Sequence, residues 1–130
     1  MRPQFSWNFK ASARWALPLV GAAVAITTLA QTGAVTERDV RPILEKKCFQ
    51  CHGENLKMGN LDLRSRESML KGGASGPAFV PGHAAESLLY QRVTGQSIPR
   101  MPMAPLPALT DSEVAVLKRW IDEGAKWESV

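Results

Sequence analysis

Metal-binding side chains are scarce in this chain. Its 130 residues contain two cysteines, Cys48 and Cys51, and two histidines, His52 and His83. Because a structural zinc ion takes four ligands, a zinc site would need all of these residues in an unusual geometry. No strand-rich pattern surrounds the cysteines, which argues against a thioredoxin-like redox pair in a βαβ unit. A disulfide between the two cysteines is a further alternative, and it would leave His52 without a role.

Long apolar runs are also missing. The apolar run at residues 15–30 is sixteen residues long, whereas a helix needs about 20 to span a bilayer. Basic residues precede it at Arg2, Lys10 and Arg14. Small residues follow it, and cleavage after Ala30 or Ala34 would suit a secretory signal peptide. The sequence therefore predicts an export segment at residues 1–34 and one folded domain at residues 35–130. We expect this domain in the periplasm, or anchored at the membrane through residues 15–30 if the segment is not cleaved.

The domain also lacks an excess of charge of one sign. All twelve acidic residues lie from Glu37 onward, and thirteen of the sixteen basic residues do so as well. The formal charge of +4 therefore comes mostly from the export segment. A nearly neutral domain has no electrostatic signature of nucleic-acid binding, so we expect no nucleic-acid partner.

What the chain does contain is the five-residue motif Cys48-Phe49-Gln50-Cys51-His52. C-x-x-C-H is the attachment signature of c-type haem. Two thiols three residues apart lie on one face of a helical turn, where both can reach the vinyl groups on one edge of a porphyrin. The imidazole of His52 can then serve as the proximal ligand of the iron. The motif predicts one haem c per chain, bound through thioethers to Cys48 and Cys51.

The N-terminal half of the domain predicts two helices. Thr36 can cap a first helix that runs directly into Cys48 and presents the attachment motif at its C-terminal end. Pro42 lies inside this pattern, so we expect a kink or a late start. Ser65 can cap a second, short helix that ends at Gly72.

The C-terminal half predicts two further helices. A third helix should span about residues 84–93, and a loop with four prolines follows at residues 94–109. The last helix begins with the capping box Thr110-Asp111-Ser112-Glu113 and should end at Gly124, after which Trp127 folds back onto its apolar face. The predicted fold class is therefore all-α, with three to four helices, long loops rich in glycine and proline, and a thin core that a covalently bound haem would complete.

Several residues are candidates for the sixth ligand of the iron. A methionine sulfur would close the site and suit electron transfer. Met69 fits the apolar face of the second helix, where packing is expected, and Met58 follows the attachment motif too closely to reach the opposite face of the ring. Met101 and Met103 lie far downstream in a proline-stiffened segment, and their spacing leaves both open. His83 is a further candidate, for ligation by two histidines.

Five segments carry a family resemblance: VRPILEKKCFQCHG at 40–53, LDLRSRESMLKGGASGPAFVPG at 61–82, SLL at 87–89, RMP at 100–102 and LKRWIDEGAKW at 117–127. In these residues the domain resembles the planctomycete-type cytochrome c domain, a relative of the class I cytochromes c. The resemblance implies thioethers at Cys48 and Cys51 and proximal ligation by His52. The family usually has Met-Pro-Pro at the distal loop. The chain has Met101-Pro102-Met103 there, and the match favours Met101 as the distal ligand.

The predicted function is that of a monohaem c-type cytochrome with a small class I cytochrome c-like fold. Such a protein is not an enzyme, and it transfers single electrons between redox partner proteins. The alternative is a haem enzyme or gas sensor with an open sixth position and only His52 as a strong axial ligand. Trp120, Tyr90 and Leu106 are expected in the wall of the haem pocket.

Overall fold

The computed structural model describes residues 33–128, which belong to the second of the two units into which the chain divides, Thr32–Val130. Within this range the fold is helical and has no strand. The four α-helices are α1 (Glu37–Lys47), α2 (Arg66–Lys71), α3 (Leu88–Thr94) and α4 (Asp111–Asp122), and two 3-10 helices cover Met58–Asn60 and Ala84–Glu86. The all-α prediction is confirmed for the described residues.

Helix α1 starts where its sequence predicted. Thr36 is extended and precedes the helix, and its N–H donates to the Asp39 carboxylate at 2.8 Å. Val40 and Leu44 are fully buried on the apolar face. Pro42 lies inside the helix without delaying its start, so of the two expected effects the late start does not occur, and the kink stays a prediction. The early start reflects the reciprocal capping box between Thr36 and Asp39, which stabilises the first turn.

Helix α2 agrees with its prediction, but the predicted third helix is divided. Ser65 accepts from the Ser68 N–H at 3.1 Å at the start of α2, and Gly72 follows its end with φ +72°. The third segment forms a 3-10 helix at Ala84–Glu86, and α3 begins only at Leu88. Ser87 between them is extended because its hydroxyl accepts from the Val80 N–H at 2.9 Å and donates to the His83 carbonyl at 2.7 Å. A side chain bonded to loop backbone in this way competes with a continuous helix.

Helix α4 is the centre of the core, and it packs against α1, α3 and the second 3-10 helix. Leu117, Trp120 and Ile121 are completely buried on its inner face. Trp120 contacts Phe79 edge-on, with ring centroids 5.1 Å apart, and Trp127 lies back against Trp120 at 6.0 Å, as predicted. Glu123 caps the helix, and Gly124 follows with φ +95°. The aromatic contacts hold the C-terminal residues on the core.

The predicted export segment lies outside the described residues, except for Gly33 and Ala34. Its cleavage, its alternative role as a membrane anchor and the boundary at residue 35 therefore stay predictions. Of the helices in residues 33–128, none has the length and apolar character needed to cross a membrane.

Candidate haem site

The attachment motif forms a tight turn at the end of α1. Cys48 caps the helix, and its N–H donates to the Leu44 carbonyl at 2.8 Å. The Cys48 carbonyl then accepts from the N–H groups of Cys51, at 3.1 Å, and His52, at 2.9 Å. These bonds continue the helical direction for one more turn. The turn therefore places both thiols and the imidazole at the same cavity.

That cavity has a volume of about 600 Å³, within the roughly 300–1,000 Å³ of small-molecule and cofactor sites. Its walls come from the attachment turn, the glycine-rich loop after α2, the inner side of α3 and the proline-rich loop before α4. Apolar side chains and glycines dominate the lining, which includes Leu61, Leu63, Ala78, Leu88, Leu89, Val93, Pro99, Pro102 and Leu106. A lining of this kind suits a large apolar ligand.

The two cysteines are free thiols in the described fold. No disulfide joins Cys48 and Cys51 in this fold. In residues 33–128, no group of three or more His, Cys, Asp and Glu side chains is arranged to hold a metal ion. Burial, followed by the nearby Cys51 and Glu113, raises the pKa of the Cys48 thiol to about 12. Cys48 is therefore held as a neutral thiol, which resists oxidation better than a thiolate does.

The His52 imidazole is not bound to another part of the described chain through Nδ1. This atom is buried and has no hydrogen-bond partner. The backbone of the residue is fixed, since its carbonyl accepts from the Leu63 N–H at 2.9 Å. A buried polar atom without a partner carries a free-energy cost, and an imidazole is a common metal ligand. The site therefore supplies a histidine whose backbone is fixed and whose Nδ1 makes no competing hydrogen bond.

Three methionines line the same cavity: Met58, Met101 and Met103. Met101 is half-buried, and its N–H donates to the Arg92 carbonyl at 3.0 Å. Met103 is 48% exposed, which leaves it less constrained. Met58 begins the first 3-10 helix, and its N–H donates to the Cys51 carbonyl at 2.9 Å, so its backbone is held next to the attachment turn.

The other candidate ligands lie elsewhere. Met69 is completely buried in the core, as predicted, and does not line the cavity. His83 does not line it either; its side chain is 61% exposed and lies 3.8 Å from the Glu86 carboxylate. Of the three predicted wall residues, Leu106 lines the cavity, whereas Trp120 and Tyr90 do not. Trp120 instead fills the core between Phe79 and Trp127, which is the packing role its helical spacing allowed.

The sequence did not indicate two cationic wall residues or the approach of the glycine loop. Lys47 and Arg92 are the charged side chains in the lining, and both are cationic. Gly73 lies so close to the first 3-10 helix that a Cβ there would be 2.4 Å from the Gly59 carbonyl oxygen. The Gly72-Gly73 pair permits this close approach because glycine has no Cβ, and Gly72 also ends α2. No pattern in the sequence distinguished Lys47 or Arg92 from other surface cations.

The donor set fits a covalently attached haem. Two free thiols, an imidazole and a thioether, from Cys48, Cys51, His52 and Met101, converge on one apolar cavity. These groups are the ones that c-type haem uses for attachment and axial ligation.

Comparison with known proteins agrees with this chemistry. Residues 48–104 match the family model described as Planctomycete cytochrome C. The chain is also similar to hydrazine synthase subunit alpha of Kuenenia stuttgartiensis, with 30% identity over 123 residues; the match covers 72% of this chain and 15% of that protein. A solved structure of Kuenenia stuttgartiensis hydrazine synthase aligns with a TM-score of 0.43 and 25% identity, over 74% of this chain and 16% of that one. The chain thus spans about a sixth of the length of the relatives it matches.

The attachment turn and the segment that carries Met101 both fall inside the matched range. The resemblance seen in the sequence is therefore confirmed over residues 48–104, the range that matches the Planctomycete cytochrome C family model.

Proposed function

We propose that this protein is a monohaem c-type cytochrome that transfers single electrons between redox partner proteins. One haem c is attached to Cys48 and Cys51, with His52 as the proximal and Met101 as the distal ligand of the iron. The observation that supports this proposal is the convergence of all four side chains on one apolar cavity of about 600 Å³. The proposed fold is a small relative of the class I cytochrome c fold, and the protein is not an enzyme by itself.

Each residue has a distinct part in this function. The thiols of Cys48 and Cys51 would hold the haem covalently, as two thioethers. Bound haem supplies one-electron redox chemistry. The apolar wall of the cavity would exclude water from the haem, and His52 and Met101 would hold its iron, so that electron transfer would require little rearrangement. A thioether ligand and a site of low polarity both raise the reduction potential.

Covalent attachment can be tested on a denaturing gel stained for haem. The full chain is produced in a host with haem-attachment machinery, next to a Cys48→Ala/Cys51→Ala double variant. We expect a stained band for the native chain and none for the double variant. An unstained native band would contradict the proposal and return the cysteine pair to a structural role.

The proposed cellular setting is the periplasm, reached through the export segment at residues 1–34. Retention of residues 15–30 as an anchor would hold the domain at the membrane. N-terminal sequencing of the exported protein distinguishes the two forms, because cleavage after Ala30 or Ala34 gives a new N-terminus and retention does not.

A second candidate function is a haem with an open sixth position, in an enzyme or a gas sensor. One relative of this chain is a subunit of a synthase by name, which favours a catalytic role for a haem domain of this kind. The two candidates differ in their reaction with carbon monoxide. The electron carrier should bind it only slowly in the ferrous state, because Met101 must leave first. Rapid binding without loss of a ligand would favour the open site.

A further inference from the structure

The proline-rich loop of the site cannot hold itself in place by ordinary backbone pairing. Four of the ten residues at 99–108 are prolines, Pro99, Pro102, Pro105 and Pro107, and proline has no N–H to donate. The loop has one backbone hydrogen bond within itself, from the Leu106 N–H to the Met103 carbonyl at 3.0 Å. Its position must therefore depend on donors from other parts of the fold that reach its carbonyl groups.

Arg92 of α3 supplies such contacts at the start of the loop. Its guanidinium Nη1 donates to the Pro99 carbonyl at 3.2 Å. Its own carbonyl accepts from the Met101 N–H at 3.0 Å. The same residue therefore holds the loop on both sides of Arg100, directly before the sulfur-bearing side chain. Its side chain also lines the haem cavity.

Lys47 of α1 supplies a contact at the end of the loop. Its Nζ donates to the Ala108 carbonyl at 3.3 Å and lies 4.0 Å from the Glu113 carboxylate in the first turn of α4. The Lys47 side chain is only 9% exposed, and it reaches an exposed carbonyl, that of Ala108, at the surface. Lys47 also lines the cavity and directly precedes Cys48. A single side chain thus connects the attachment turn with the end of the distal loop.

We propose that Arg92 and Lys47 are positioning residues that clamp the loop at residues 99–108 from its two ends, and that this clamp determines how firmly Met101 stays on the iron. This inference rests on the proposed function, because it requires a methionine-ligated haem. A loop held at both ends loses little further entropy when its methionine binds, which strengthens ligation without a new contact to the iron. Loosening either end favours the form in which the methionine has left.

Imidazole provides the test, since it binds ferric haem only after the methionine leaves. The methionine–iron charge-transfer absorption of the ferric full-length protein is recorded first, and imidazole is then titrated into the native chain, Arg92→Leu and Lys47→Leu. We expect each variant to bind imidazole about three- to tenfold more tightly, as the loss of one intramolecular hydrogen bond predicts. Arg92→Lys keeps the charge and a donor, and should recover most of the native affinity.

The matched control is Arg38→Leu, which removes an arginine of α1 whose side chain is 85% exposed and contacts Glu128 rather than the loop. Affinities in Arg92→Leu and Lys47→Leu within about twofold of this control would overturn the clamp while leaving the proposed function intact. Absence of the charge-transfer absorption in the native chain would overturn the proposed function, and the clamp with it. If Arg92→Leu does not fold, the imidazole affinities of Arg92→Gln and Lys47→Leu are compared with that of Arg38→Leu in the same titration.

Discussion

At the scale of single residues, the distal ligand is the choice on which the proposed function depends. Met101 and Met103 both line the cavity, but only Met101 is fixed through its backbone to α3, at the Arg92 carbonyl. Met103 is 48% exposed. A ligand that is already held near the iron loses less entropy on binding. The structure therefore adds a physical reason to the preference for Met101 that the family resemblance implied.

We accordingly predict that Met101→Ala abolishes the methionine–iron charge-transfer absorption of the ferric protein, whereas Met103→Ala retains it. The reason is that only the first substitution removes the constrained sulfur. Optical spectra of the two purified variants provide the measurement, and Met69→Leu is the control for a change of a methionine in the core. Loss of the absorption in Met103→Ala alone would show that Met103 is the ligand.

At the scale of elements, the break between the second 3-10 helix and α3 depends on Ser87. The side chain is completely buried, and its hydroxyl bonds to the backbone of Val80 and His83. These bonds fix the segment that leads into α3, whose inner side lines the cavity with Leu88 and Leu89. The serine therefore determines where the wall of the cavity begins.

We predict that Ser87→Ala lowers the free energy of unfolding by about 1 kcal/mol, because the part-buried hydrogen bonds between the Ser87 hydroxyl and the backbone of Val80 and His83 are lost. Chemical denaturation of the haem-loaded protein, followed by circular dichroism, gives this value. Ser112→Ala is the matched control at an exposed position of α4, and its effect should stay within about 0.5 kcal/mol. Equal effects of the two substitutions would contradict a special role for Ser87.

At the scale of the whole molecule, the cavity takes up space that packed apolar side chains would fill in an ordinary domain. A cavity of about 600 Å³ in a small domain removes much of the apolar contact that a fold of this size needs. The described core depends mainly on α4, with Trp120 and its aromatic neighbours on one side. A ligand bound only by the folded state then contributes directly to stability.

We predict that the Cys48→Ala/Cys51→Ala variant, freed of haem, has no cooperative thermal transition or one at a much lower temperature. Each kcal/mol lost lowers the melting temperature of a domain of this size by about 4–8 °C. Thermal unfolding by circular dichroism tests this, with Met101→Ala as a control that keeps the covalent attachment. A double variant that melts cooperatively at the native temperature would contradict a structural role for the haem.

Stability should also fall in acid. The Arg64 guanidinium, with help from Lys57, holds the pKa of Asp62 well below its usual range. Hydrogen bonds from the Lys118 ammonium and the Ala84 N–H also lower the pKa of Asp122. A carboxylate whose pKa is lower in the folded state stabilises the fold above its unfolded pKa of about 4, and this contribution is lost as the pH falls through the folded value.

The expected result is a melting temperature that is constant near neutral pH and decreases below about pH 4. Thermal unfolding at a series of pH values measures it. The Asp62→Asn variant should show a smaller decrease, since it no longer has this carboxylate to protonate. Equal acid sensitivity in the native chain and Asp62→Asn would contradict the assignment to Asp62.

Local patterns in the sequence were sufficient for the elements whose stabilising contacts are local. The capping residues Thr36, Ser65 and Thr110 predicted the starts of α1, α2 and α4, because a helix begins where its own first turn is satisfied. The motif from Cys48 to His52 also predicts haem attachment from its spacing alone, and this prediction is tested by the haem-stained gel. Each of these predictions concerned residues within five positions of one another.

Contacts between distant parts of the chain were decided only by the tertiary structure. The core position of Trp120 against Phe79 and the contact of Lys47 with Ala108 depend on segments that are far apart in the sequence. The break at Ser87 depends on nearer residues, Val80 and His83, which the loop before α3 brings back to its hydroxyl. A helical period records which side of an element is apolar, but not which neighbour that side meets. For this protein the sequence alone therefore predicted the chemistry of haem attachment, while the fold decided which residues line the cavity and contact its proline-rich loop, because those positions result from the packing of separate elements.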